Sequence, residues 1–123
     1  MRLFRRKPAP LESVRLGELS EDPADYSVLT VGQSRLSASF ESLQFRADSE
    51  PRNIWATLLP TWDRRMNVIA DISILVDGTA VGYLRPPALD EAIALLDKHN
   101  ARSLQVPARL SWGAIGPDVA IRL

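Results

Sequence analysis

The residue types best suited to chemistry lie close together at positions 62–67, in the sequence Trp-Asp-Arg-Arg-Met-Asn. A tryptophan ring can stack on a nucleic-acid base while neighbouring guanidinium groups contact phosphates. A further arginine follows a glycine in an earlier loop. We therefore predict that a nucleic-acid-binding site would consist of Arg35, Trp62, Arg64, Arg65 and Asn67. The alternative is that Trp62 packs over the end of a sheet and that the arginines are simply solvated.

Residues for catalysis are scarce. His99 is the single histidine and there is no cysteine, so thiol chemistry and the soft ligands of zinc are both missing. The serines lack a nucleophile-elbow motif, and the Gly78-x-x-x-Gly82 spacing lacks the lysine of a phosphate loop. An enzyme would require Asp63 and Asp71 to converge in a pocket. We therefore expect no enzyme activity, no cofactor, no metal and no small-molecule substrate.

Composition is typical of one globular domain. The chain has 123 residues, of which 46% are hydrophobic, and Lys plus Arg and Asp plus Glu each number 15. This neutrality argues against a non-specific coat on DNA, although a local basic patch remains compatible with it. The basic start of the chain is not followed by an apolar stretch, and no run reaches the roughly 20 apolar residues of a membrane helix. We expect a cytoplasmic protein without membrane insertion.

The first 25 residues differ from the rest. Residues 1–8 are basic and residues 9–25 are mainly acidic, with Pro10 and Pro23 interrupting any long helix. Charge blocks with few large apolar side chains bury too little surface to offset their ordering entropy. We interpret residues 1–25 as a flexible or loosely docked charged arm, in which a short helix around residues 11–19 is an alternative. The folded domain would then span residues 26–123.

Apolar periodicity in residues 26–123 predicts short strands and one clear helix. The strand predictions are residues 26–31, 36–46 with a helical alternative for 41–46, 54–59 ending at Pro60, 67–76, 80–84, 104–110 and 119–123. Asp77-Gly78 predicts a tight hairpin turn. Pro86-Pro87 predicts the start of a helix that ends near Asn100. The predicted fold class is α+β: a small curled antiparallel β-barrel of the OB or SH3 type with one main helix.

Two buried faces are predicted in more detail. On the strand at 67–76 the inward face would comprise Val68, Ala70, Ile72, Ile74 and Val76. On the helix the buried stripe would comprise Leu89, Ile93 and Leu96, together with Ala92 as a weaker member.

One stretch resembles a known family. The sequence Asp-Gly-Thr-Ala-Val-Gly-Tyr-Leu at 77–84, followed by a helix and an alternating strand, is similar to the HIRAN domain, as is Val-Gly-Gln-Ser at 31–34. The resemblance covers residues 26–123 in the order of elements. It implies an OB-like barrel of a kind found alone in bacteria and phages, and binding of single-stranded DNA at its 3′ end.

The same comparison shows a departure. The family has an Asn-Pro-x-Asp-x-Asn-Ala-Val stretch before this hairpin that helps form the DNA-end pocket, whereas residues 65–72 here are Arg-Met-Asn-Val-Ile-Ala-Asp-Ile. The end-binding pocket would therefore be degraded or rebuilt. The alternative function is a degenerate barrel that binds protein, for which Trp62, Trp112 and Phe45 would form the exposed patch.

Overall fold

The computed structural model describes residues 11–26, 28–31, 37–113 and 116–123. Within them the secondary structure comprises seven strands, two α-helices and a 3-10 turn at Pro23–Asp25. The strands are β1 (Val14–Arg15), β2 (Val28–Val31), β3 (Arg52–Asp63), β4 (Val68–Val76), β5 (Thr79–Leu84), β6 (Leu104–Gly113) and β7 (Gly116–Ile121). The helices are α1 (Ser37–Ser42) and α2 (Pro86–His99).

The strands form one predominantly antiparallel sheet in the order β1-β6-β3-β4-β5-β2-β7. Strand β7 pairs with β6 as well as with β2. Among the pairings of the described residues, the parallel ones are that of the two-residue strand β1 with Leu104 and Gln105 of β6 and an isolated bridge between Leu11 and Ala101. The prediction of an α+β fold that is mostly antiparallel sheet with one main helix is confirmed.

The core lies between the inner face of this sheet and the two helices. Strand β6 buries Leu104, Val106, Ala108 and Leu110, as predicted, and Pro107 between them is buried as well. Other strands contribute the buried side chains of Ala56, Leu58, Ile72, Ile74, Val76, Val81, Leu84, Val119 and Ile121.

The turn between β4 and β5 and the start of α2 also follow the prediction. Asp77 and Gly78 have φ angles of 49° and 78°, the left-handed pair that a type I′ hairpin turn requires. Helix α2 begins at Pro86, and Asn100 ends it in a left-handed conformation.

The buried stripe of α2 is rotated slightly from the prediction. Ala88, Ala92 and Leu96 are buried, whereas Leu89 and Ile93 are half-buried. The small side chains of Ala88 and Ala92 let the helix lie close to the sheet. The larger side chain of Ile93 is turned towards the edge of this contact.

A strand was expected over residues 36–46, with a helical alternative for 41–46. The strand was wrong, because α1 forms at Ser37–Ser42; the helical alternative holds only for residues 41 and 42, and residues 43–46 are not helical. The helix ends in a Schellman motif: Phe45 N donates to Phe40 O, Gln44 N donates to Glu41 O, and Gln44 has a φ of 59°. Phe40 and Phe45 are both fully buried with ring centroids 6.2 Å apart. This apolar contact across the helix end outweighs the alternation of serines with apolar residues that suggested a strand.

The prediction that β3 ends at Pro60 was also wrong. The strand continues to Asp63, and Pro60 stands opposite Ile72 of β4. Because the pairing of β3 with β6 ends at Leu58, Pro60 has a strand neighbour on one side only. A residue without an N–H group is compatible with such an edge position.

The inward face of β4 was predicted correctly for Ile72, Ile74 and Val76, but Val68 and Ala70 are exposed. The register between β3 and β4 shifts between Thr61 and Trp62, with Asp71 and Ile69 as their partners, so Ala70 is the extra residue of a β-bulge. The bulge reverses the alternation and turns Ile69, rather than Val68, to the inner face.

Residues 11–25 lie against the sheet. Val14 N donates to Ser103 O and Leu16 N donates to Gln105 O, at 3.2 and 2.8 Å. The short helix considered for residues 11–19 is replaced by β1 and an extended path along β6. This part of the predicted arm is therefore docked through backbone hydrogen bonds, which its charge pattern does not reveal, while residues 1–10 lie outside the described residues.

Neither helix in the described ranges combines the length and the apolar character that a bilayer-crossing segment needs.

Candidate functional site

The hairpin of β3 and β4 projects beyond its neighbouring strands. Strand β6 pairs with β3 only as far as Leu58, and β5 pairs with β4 only from Ser73 onward. We call residues 59–71, which include the turn between the two strands, the hairpin arm. Within the described sheet, neither strand of this arm has a further strand neighbour on its outer side. The inner face of the arm therefore extends beyond the strands that flank the rest of the hairpin.

A groove of about 1050 Å³ lies between the hairpin arm and helix α2. Its lining is mostly apolar with a few charged or amide side chains. The lining residues are Leu59, Pro60, Trp62, Asn67, Val68, Ile69, Asp90, Ile93, Ala94, Leu96, Asp97, Asn100, Ala101 and Arg102. This volume is slightly larger than the roughly 300–1,000 Å³ of small-molecule pockets, and the groove is wide enough to hold a peptide segment.

The helical wall of the groove follows from the spacing of its residues. Asp90, Ile93, Ala94 and Asp97 are three, four and seven positions apart, which places them on one face of a helix. The adjoining face carries the buried alanines. Helix α2 therefore packs on the sheet with one side and presents a mixed apolar and acidic side to the groove.

The other wall of the groove is formed by the same face of β3 that is buried in the core earlier along the strand. Leu58 is buried, and Pro60 and Trp62 lie on the same face of β3, two and four residues further along the arm. Trp62 stands opposite Ile69, which the bulge turns to this face. Trp62 is 55% exposed, so a large aromatic surface at the groove faces solvent.

The charged groups at the groove are mainly acidic. Asp90 and Asp97 line it from the helix. Arg102 lies at its other end, where its guanidinium group is 4.0 Å from the carboxylate of Glu12. A ligand with positive charge next to apolar side chains suits this lining better than a polyanion does.

The structure brings together part of the predicted nucleic-acid site. Trp62 and Asn67 both line the groove. Arg64 and Arg65 are exposed in the turn of the hairpin arm, outside the lining. Arg35 lies outside the described residues.

The turn itself is organised by Asp63. Its carboxylate accepts hydrogen bonds from Arg65 N at 2.9 Å and Met66 N at 3.3 Å, so it serves as a turn-stabilising side chain. Neither Asp63 nor Asp71 lines the groove, so the two carboxylates considered for catalysis do not converge there. No group of three or more metal-ligating side chains occurs in the parts of the chain that the structure describes.

The patch proposed from Trp62, Trp112 and Phe45 does not form. Phe45 is fully buried, and Trp112, near the end of β6, packs on it with ring centroids 6.3 Å apart. Trp55 is half-buried under the guanidinium group of Arg15, which lies 4.3 Å from the ring centroid. Trp62, at 55% exposure against 38% for Trp112, is thus the most exposed of the three tryptophans.

Apolar exposure is instead concentrated on the hairpin arm. Met66 is 69% exposed, Val68 50% and Leu59 45%. A cluster of this kind beside an apolar groove is typical of an interaction surface.

Comparison of the chain with family models, with curated proteins and with solved structures found no match. The assignment of function therefore depends on the geometry of the groove.

The sequence predicted Trp62 and Asn67 as site residues on the hairpin side of the groove, and it predicted no site residue on the helical side. Asp90, Ala94 and Asp97 were not among the predicted site residues. The signal that could have identified them is the low polarity of that side at Ile93 and Ala94, between two acidic residues.

Proposed function

We propose that this chain is a non-catalytic protein-binding module, and that the groove between α2 and the hairpin arm holds an apolar segment of a partner protein. The observation that carries the proposal is the half-exposed ring of Trp62 in a largely apolar groove. Aromatic side chains in such positions contribute a large share of binding energy at protein interfaces.

The edges of the hairpin arm support the same function. Residues 59–63 lack a strand neighbour on the side away from β4, and residues 68–71 lack one on the side away from β3. An extended partner segment can add to such an edge through main-chain hydrogen bonds.

We infer further that the sheet curls into a small barrel of the OB type. Strand β7 pairs with both β2 and β6, and this supports the inference. The sheet order runs from β6 through β3, β4, β5 and β2 to β7, so the second pairing of β7 connects the end of the sheet to β6. In this arrangement the groove would lie at one end of the barrel, beside α2.

The test is selection of peptides from a random display library on the immobilised full chain. We expect enrichment of sequences with large apolar side chains next to Lys or Arg. Trp62→Ala should weaken an enriched peptide at least tenfold, about 1.4 kcal/mol. Tyr83→Ala is the matched control, because Tyr83 is 39% exposed on β5 and does not line the groove. Equal binding to both variants, or no enrichment, would refute the proposal.

A second candidate is the binding of single-stranded DNA that the HIRAN resemblance implies. It is favoured by the position of Arg64 and Arg65, which are exposed next to Trp62 and form no ion pair within the described residues. The acidic lining of the groove opposes it.

Titration of the full chain with a fluorescent single strand carrying a free 3′ end, at low and moderate salt, distinguishes the candidates. DNA binding predicts an affinity that falls with salt and is abolished by Arg64→Glu with Arg65→Glu. A blocked-end strand and a duplex serve as controls. The protein-binding proposal predicts no saturable binding at moderate salt.

A further inference from the structure

The described chain begins beside the groove. Leu11 N donates to Asn100 O and Arg102 N donates to Leu11 O, each at 2.9 Å. Asn100, Ala101 and Arg102 all line the groove, so residue 11 is fixed at its helical end. The side chain of Leu11 is 57% exposed there.

Residues 1–10 have the composition that the groove favours. They contain Leu3 and Phe4 next to Arg5, Arg6 and Lys7, and no acidic residue. The apolar pair matches the apolar lining, and the basic run matches Asp90 and Asp97.

We propose that residues 1–10 bind in the groove of their own chain and compete with the partner segment. This inference rests on the proposed protein-binding function and names the chemistry of the partner: large apolar side chains beside Lys or Arg. The reach is sufficient, because residues 1–10 extend up to about 30 Å at roughly 3.3 Å per residue.

Tethering makes even weak internal binding effective. A short flexible tether gives an effective concentration of about 1 mM. If the detached segment bound with a dissociation constant of about 100 μM, it would occupy the groove about 90% of the time. A partner would then bind about tenfold more weakly than to an empty groove.

A spin label tests the position of the segment in the intact chain. The chain has no cysteine, so Arg2→Cys provides a single attachment site for a nitroxide. We expect strong paramagnetic broadening of the amide signals of Trp62, Asn67 and Ile93, and none at Tyr83. Asp90→Lys with Asp97→Lys should remove most of this broadening. Broadening confined to the neighbours of Leu11, or spread equally over both faces, would overturn the inference.

Affinity for a library-selected peptide separates this inference from the proposed function. Phe4→Ser with Arg5→Glu and Arg6→Glu should tighten peptide binding about tenfold, whereas Tyr83→Ala should leave it unchanged. Equal affinity for the intact chain and for this triple variant would overturn the competition and leave the proposed function standing. Absence of peptide binding to both, with groove broadening by the label still present, would overturn the partner function alone.

Discussion

Phe40 and Phe45 connect the short helix α1 to the core. Both side chains are fully buried, and the ring of Phe45 also contacts Trp112 and lies 5.7 Å from the guanidinium carbon of Arg52. Phe45→Ala would leave a cavity and remove these contacts, so we expect it to lower the free energy of unfolding by about 3–5 kcal/mol. Urea denaturation followed by tryptophan fluorescence measures this. Tyr83→Ala, at an exposed site, should cost far less.

Gln44 is the unusual residue among those with left-handed backbone. The other non-glycine residues with positive φ in the described ranges are Asn67, Asp77 and Asn100, of types that adopt this conformation readily. Gln44 is exposed and has a φ of 59°. We therefore expect Gln44→Gly to stabilise the protein by about 0.5–1 kcal/mol in chemical denaturation, since glycine has no Cβ penalty there. Asn67→Gly should change stability less, and a loss of stability in Gln44→Gly would contradict the argument.

Single residues also show where sequence prediction succeeds. The turn at Asp77-Gly78 was predictable because its left-handed geometry depends on two neighbouring residue types. The bulge at Ala70 was not, because an extra residue in a strand is defined only relative to its partner, here at Thr61 and Trp62. That one residue turns Ile69, rather than Val68, to the face of the sheet that carries Pro60 and Trp62.

At the scale of elements, the hairpin arm should be the part of the β3–β4 hairpin whose amide hydrogens are least protected from exchange with solvent. Its strands pair only with each other, whereas Thr57 and Leu58 on β3 have neighbours on both sides. We expect the amides of residues 59, 61–63 and 68–71 to exchange with solvent at least tenfold faster than those of Thr57, Leu58 and residues 73–75, which have strand neighbours on both sides. Hydrogen exchange followed by NMR measures this, and uniform protection along β3 would show that the arm opens only with the whole sheet.

Helix α2 shows what periodicity can and cannot predict. Its limits at Pro86 and Asn100 follow from local residue types, and its apolar spacing requires burial of one side. The position of that side relative to the sheet depends on side-chain volume at the contact, which turned Ile93 into a groove residue. The candidate site was therefore predictable for Trp62, near the end of β3, and for Asn67 in the turn, and not for the helix that completes it.

At the scale of the whole molecule, residues 11–16 belong to the folded unit. Their backbone is hydrogen-bonded to residues 100–105, at the start of β6, and Ser103 donates its hydroxyl to Glu12 O at 2.8 Å. Val14 and Leu16 also pack against the core. We expect a chain that starts at residue 26 to lose several kcal/mol of stability, while a chain that starts at residue 11 should lose only the roughly 1.4 kcal/mol that about 90% occupancy of the groove contributes. Thermal and urea denaturation of both truncations test this, and equal stability of all three chains would place the boundary at residue 26 instead.

The pairing of β2 with β7 has a kinetic consequence. Val28 stands opposite Ile121, so the second strand along the chain pairs with the last one. Closing so long a loop costs chain entropy before the contacts formed can offset it, and topologies rich in such pairings fold in milliseconds to seconds. The β4–β5 hairpin, with its local turn, can form much earlier. Because β7 follows β6 closely in the chain and pairs with it, the pairing of β2 with β7 should form after that of β6 with β7. Substitutions within Val28–Val31 should therefore accelerate unfolding more than they slow refolding.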